Sequence, residues 1–80
     1  MYLEIVTPEK TAYSGDVKLV RLPGSKGSFE ILKNHAPIIS TLSEGQIKIA
    51  TFNGEEKFFD VKQGVVEVRE NNVVVLVENV

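Results

Sequence analysis

The feature that most constrains this chain is the short period of its apolar residues. They alternate with polar ones over brief runs, and each run ends at a turn signal. No stretch of ten residues keeps a helical period. Tyr2–Val6 reads as a strand stopped by Thr7-Pro8, because proline has no amide hydrogen to give a ladder. Glu9–Tyr13 is a weaker strand, closed by Ser14-Gly15-Asp16, and Val17–Leu22 alternates as a strand. Shorter pieces lie around Phe29–Ile31 and Ile38–Leu42. Gln46–Phe52, Gly64–Arg69 and Val73–Val77 follow. Closely spaced short strands predict an all-β fold, an antiparallel β-sandwich or flattened barrel, in one domain over residues 1–80.

Two hairpins carry register expectations. At Asn53-Gly54 a three-residue loop, Asn53–Glu55, sets Ile49 opposite Phe59 and Ile47 opposite Val61. It keeps the apolar pairs on one face, whereas a two-residue loop sets Ile47 opposite Asp60. At the last hairpin, a two-residue loop at Asn71-Asn72 pairs Val68 with Val75 and Val66 with Val77. The unbroken apolar run Val73–Val77 predicts a central strand covered on both sides.

Composition narrows the function. Nine basic against eleven acidic groups, with no basic cluster, argue against a nucleic-acid partner. The chain has no cysteine, so disulfides and thiolate metal sites are impossible. No run approaches the roughly 20 apolar residues of a membrane span, and the N-terminus lacks the pattern of a signal peptide. A cytosolic location is the default expectation, with any membrane link made through partners.

His35 is the one histidine and the one candidate for acid–base chemistry. Ser28, Glu30 and Ser40 lie near it in sequence, but a catalytic histidine needs an orienting group and a nucleophile in fixed geometry. A turn-stabilising or interface role is expected instead. No metal ligand set and no cofactor are expected either. Pro23-Gly24-Ser25-Lys26-Gly27 lacks the Gly-Lys-Ser/Thr ending of a phosphate loop and reads as a turn. The whole stretch from Pro23 to Ser40 reads as a shaped loop on a rigid scaffold. Phe29 is either a core aromatic at its base or an apolar contact at its tip.

That stretch also carries a resemblance. The run TPEKTAYSGDVKLVRLPGSKGSFEILKNHAPIISTLSEGQIKI is similar to the epsilon subunit of the rotary, F-type ATP synthase. So is FDVKQGVVEVRENNVVVLVE. The sharpest pieces are SGDV at Ser14–Val17, Pro23-Gly24, NHAPIIS at Asn34–Ser40, and GVVEV before Asn71-Asn72-Val73. Their order and spacing over the chain are specific.

The resemblance implies a β-sandwich of about ten strands. It implies a non-catalytic subunit of the central stalk, linking the gamma shaft to the ring of c subunits and turning with both. The engine would be proton- or sodium-driven. Ser25, Lys26, Gly27, Ser28 and Phe29 fall on the loop facing the c-ring. His35, Ala36, Pro37, Ile38 and Ser40 fall on the part toward gamma. The expected place is the cytoplasmic face of the bacterial plasma membrane, as a peripheral part of the complex, with the isolated chain monomeric. Two departures stand out: Glu30 where many members have glycine, and Gln63-Gly64 where many have paired glycines. Typical members continue into two C-terminal helices that inhibit hydrolysis and in some cases bind ATP. With the sequence ending at Val80, neither an inhibitory arm nor an ATP site is expected. The alternative reading from another class is a small β-sandwich that binds a ligand such as carbohydrate, which wants exposed aromatics on a concave face.

Overall fold

The computed structural model describes residues 1–79. The strands are β1 (Tyr2–Val6), β2 (Thr11–Asp16), β3 (Leu19–Gly24), β4 (Gly27–Ile31) and β5 (Ile38–Leu42). Then come β6 (Gly45–Ala50), β7 (Glu56–Val61), β8 (Gly64–Arg69) and β9 (Asn72–Val77). There is no helix among the described residues. The all-β expectation holds, with nine strands among the described residues rather than about ten.

The strands form one curled sheet in the order β2-β1-β9-β8-β5-β3-β6-β7, with β4 on the other edge of β3. The curl folds it into two facing layers, β2-β1-β9-β8-β5 and β4-β3-β6-β7. The layers are hydrogen-bonded at Gly24↔Leu42, the one register pair between β3 and β5. The ladder is antiparallel except between β1 and β9, which run parallel. A parallel pair needs a long crossover, and here the whole chain between the two strands supplies it.

Alternation builds the core. Leu3, Ile5, Val66, Val68, Val73 and Val75 point inward from one layer. Val20, Leu22, Ile31, Ile47 and Ile49 meet them from the other, all 0–2% exposed. Each such side chain contributes roughly 1.5–3 kcal/mol by leaving water. On one side the layers close without backbone pairing. There Tyr13 of β2 meets Phe59 of β7 edge-on, centroids 6.1 Å apart, and the Lys57 ammonium sits 5.5 Å over the Tyr13 ring.

Several local expectations are corrected. Ser14-Gly15-Asp16 lies inside β2, opposite Glu4, Leu3 and Tyr2, rather than closing a strand. Pro23-Gly24 ends β3 instead of making the turn, and the hairpin reverses at Ser25-Lys26. Pro23 is tolerated because its carbonyl accepts from the Ser43 amide on the side away from β4. Its missing N–H therefore faces the gap between β5 and β6.

Neither expected register at Asn53-Gly54 is found. Ile47 pairs with Phe59, Ile49 with Lys57 and Ala50 with Glu56, leaving a five-residue loop, 51–55. Thr51 closes it: its amide donates to the Glu55 carbonyl at 2.9 Å, and its hydroxyl accepts from the Glu55 amide at 3.2 Å. The shift is two residues, so the inward faces survive. The last hairpin shows the same offset. Val68 pairs with Val73 and Val66 with Val75, and the turn is Glu70-Asn71 with φ of 50° and 63°. Burial fixed the parity in both cases and the turn fixed the step. Finally, β9 is central but covered on one side only. Val73, Val75 and Val77 are buried while Leu76 is 52% exposed.

Candidate partner interface

The β3–β4 hairpin presents Ser25 and Lys26 at its tip. Gly24 lets the hairpin close on itself. A Cβ there would meet the Gly27 carbonyl oxygen at 2.6 Å and the Phe29 ring at 2.7 Å. The tip is latched to β5. The Ser25 amide donates to the Thr41 carbonyl at 3.1 Å, and the Thr41 hydroxyl donates to Ser25 Oγ at 2.8 Å.

The free edges of β4 and β5 therefore face each other across an open cleft of about 640 Å³. Ser25, Lys26, Gly27, Ser28 and Phe29 line one wall, and Ile38, Ile39, Ser40 and Thr41 the other. All five residues assigned by resemblance to the ring thus share one seam with Ile38 and Ser40 of the five assigned to gamma. Phe29 lies within β4, opposite Leu22, rather than at the hairpin tip. Its ring is half-buried, packs on the core and covers Gly24, while still lining the cleft. Glu30 points to the opposite face, where its carboxylate accepts from Arg21 Nη2 at 2.7 Å.

His35, Ala36 and Pro37 lie beyond the cleft, on the connection from β4 to β5. His35 is half-buried. Its amide donates to the Leu32 carbonyl at 3.1 Å, and Nδ1 lies 2.7 Å from the Ala36 carbonyl oxygen. The Ser40 hydroxyl donates to the Thr41 carbonyl of its own strand. His35 and Ser40 are thus each turned to local backbone rather than to one another. Among the described residues no group of three or more His, Cys, Asp or Glu could hold a metal ion.

Sequence reasoning missed the pin that shapes this connection. The Asn34 amide donates to Asn71 Oδ1 at 2.7 Å, and Asn71 Nδ2 donates to Asn34 Oδ1 at 3.1 Å. Both asparagines have left-handed backbones, φ 65° and 63°. The signal available beforehand was that asparagine tolerates this region. It does not say which two asparagines meet.

It also passed over Ile39. In a strand, neighbours face opposite ways, so one of Ile38-Ile39 must point outward. Ile39 does, and is 72% exposed. On the same outer face the register aligns Val6, Leu76, Val65 and Thr41 in one row across four strands. Leu76 and Val65 are exposed, and a groove of about 660 Å³ beside them reaches the hairpin tip through Thr41 and Ser25. The outer face is thus apolar where it adjoins the seam.

Residues 1–80 match the family described as the ATP synthase delta/epsilon chain β-sandwich domain. The chain belongs to that family. It is 42% identical over 78 residues to the ATP synthase epsilon chain of Campylobacter fetus, covering 98% of this chain and 60% of that one. The fold recurs in the mitochondrial ATP synthase of Euglena gracilis, solved as OSCP/F1/c-ring, with a TM-score of 0.91 and 14% identity over 96% of this chain. It recurs again in the central stalk/c-ring structure from Tetrahymena thermophila, with a TM-score of 0.84 and 23% identity over 99% of this chain. This chain spans 49% and 63% of those two chains. The β-sandwich fold is therefore the unit they have in common. No helix among the described residues is long and apolar enough to cross a membrane.

Proposed function

We propose that this chain is a non-catalytic, rotor-side element of a rotary ATP synthase that links the gamma shaft to the c-subunit ring and helps carry torque between them. The observation that carries the reading is the joining of two surfaces. A latched, polar hairpin tip runs directly into an exposed apolar face formed by Ile39, Val65 and Leu76. The tip, with Ser25, Lys26, Gly27 and Ser28, suits the polar loops of a ring. The apolar face and the pinned His35–Pro37 connection suit a protein shaft, because apolar side chains anchor the centre of interfaces. Phe29 and Ile38 sit between the two contacts and support both. A closed double layer with short loops is stiff, as torque transfer requires. The reading places the chain at the cytoplasmic face of the bacterial plasma membrane, held there through the complex. It assigns these strands linkage and not inhibition.

The test is capture by the tagged chain from detergent-solubilised native membranes. Gamma and c subunits should be recovered with the wild type. Ile39→Asp should lose gamma, and Lys26→Glu should weaken recovery of the ring. Both residues are exposed, so both variants should keep the wild-type unfolding midpoint. A folded wild-type chain that recovers neither subunit would refute the proposal.

A further inference from the structure

We propose that Asn53 is a site of spontaneous, enzyme-free modification, in which the folded β6–β7 loop promotes conversion of its side-chain amide to a carboxylate. The inference does not depend on the partner reading. Asn53 and Gly54 are both exposed at the loop tip, within reach of water and base. Gly54 has φ of +88°, and apart from its own atoms and its two chain neighbours no heavy atom lies within 4 Å of where a Cβ would stand. The residue that follows Asn53 therefore carries no side chain and is not crowded by more distant parts of the chain.

The fold adds two further elements. The Thr51 hydroxyl, which also has the Glu55 carbonyl within 3.3 Å, donates to Asn53 Oδ1, the oxygen that gains negative charge when the amide carbon is attacked. That hydroxyl also accepts from the Glu55 amide at 3.2 Å, which strengthens it as a donor. The Gly54 N–H is held to the Thr51 carbonyl at 3.2 Å, the longest backbone bond among the turns and loops of the described residues. The electrophile is thus polarised while the nucleophile is only weakly restrained.

In the reaction, Gly54 N loses its proton and bonds to Asn53 Cγ. The bond from Cγ to the side-chain nitrogen breaks, and ammonia leaves. Water then opens the cyclic imide at either carbonyl, giving an aspartyl or an isoaspartyl linkage. Each adds a negative charge beside Glu55 and Glu56, and the isoaspartyl form also lengthens the backbone within a five-residue loop. Asn34, Asn71 and Asn72 serve as internal comparators, since each is followed by a residue with a side chain. Asn34 and Asn71 also have their amides bound to each other.

The experiment holds the whole folded chain in mildly alkaline buffer. It follows each asparagine by peptide mapping and by isoaspartyl-specific methylation. Conversion should be fastest at Asn53. Thr51→Val should slow it several-fold, a small part of the ~10²-fold that a buried oxyanion donor contributes. Thr51→Ser, which keeps the hydroxyl, should stay near the wild-type rate. Loosening of the loop by Thr51→Val would free the Gly54 nitrogen and speed the reaction, so slowing separates the donor from mere disruption. In guanidinium the two chains should react alike. The proposal is overturned by absence of conversion at Asn53, by an equal or faster rate in Thr51→Val, or by the same slowing in the unfolded chain.

Discussion

The Asn34–Asn71 pin can be measured apart from the turns it sits in. Both residues hold left-handed backbones, φ 65° and 63°, so glycine fits each position without strain. Asn34→Gly, Asn71→Gly and the double variant then form a cycle. The added chain entropy of each glycine cancels. So does the 2.7 Å bond from the Asn34 backbone N–H to Asn71 Oδ1, because Asn34→Gly keeps that donor. What remains is the side-chain bond from Asn71 Nδ2 to Asn34 Oδ1, 3.1 Å long and at the surface. A typical net hydrogen bond contributes about 0.5–1.5 kcal/mol, and solvent exposure puts this one at the low end, so the coupling should be about 0.5 kcal/mol. In a domain of this size that corresponds to a melting shift of roughly 2–4 °C beyond additivity. Urea midpoints on the purified chain, at constant slope, give the same quantity. Free energies that add within about 0.3 kcal/mol would show that the side-chain bond contributes nothing.

Gly24→Ala should destabilise by about 2 kcal/mol or more, because its Cβ would overlap the Gly27 carbonyl and the Phe29 ring; an unchanged urea midpoint would contradict the close approach. At the closed side, Tyr13→Leu and Phe59→Leu should show a favourable coupling of roughly 0.5–1.5 kcal/mol in a thermal-melt cycle, the worth of an edge-on aromatic pair. The Arg21–Glu30 pair is 2.7 Å long, but its side chains are 49% and 38% exposed. Arg21→Met should therefore change stability by less than about 1 kcal/mol, and high salt should erase the difference.

The layers were legible because period-2 alternation with one buried face fixes which residues point inward. Ile47 and Ile49, or Val66 and Val68, could face only the core. Alternation is blind to a slip of two residues, which leaves every face unchanged. Both hairpins slipped by that amount, since the deciding information lay in the turns. Thr51 folds its hydroxyl back on Glu55, and Glu70 takes a left-handed backbone that the sequence offers more readily to asparagine. The parallel β1–β9 pair was illegible for another reason. It joins the two ends of the chain, and no local pattern records a contact of that range.

The seam depends on the same long-range geometry. The chemistry of Pro23–Ser40 marked it as a surface, but only the sheet curl shows that β4 and β5 turn their free edges toward each other. Free edges are a hazard unless something limits what pairs with them. Here each end is fixed, by Ser25–Thr41 at the tip and by Asn34–Asn71 at the far connection. A surface held in this way loses little freedom when a partner binds, so more of its contact energy remains as affinity. This separates the two kinds of variant. Ile39→Asp removes contact and should abolish gamma capture without changing stability. Asn71→Gly leaves every exposed contact in place, and should weaken capture only as far as it loosens the connection. If Asn71→Gly lowered the melting point as expected but left capture untouched, His35–Pro37 would not be part of the interface.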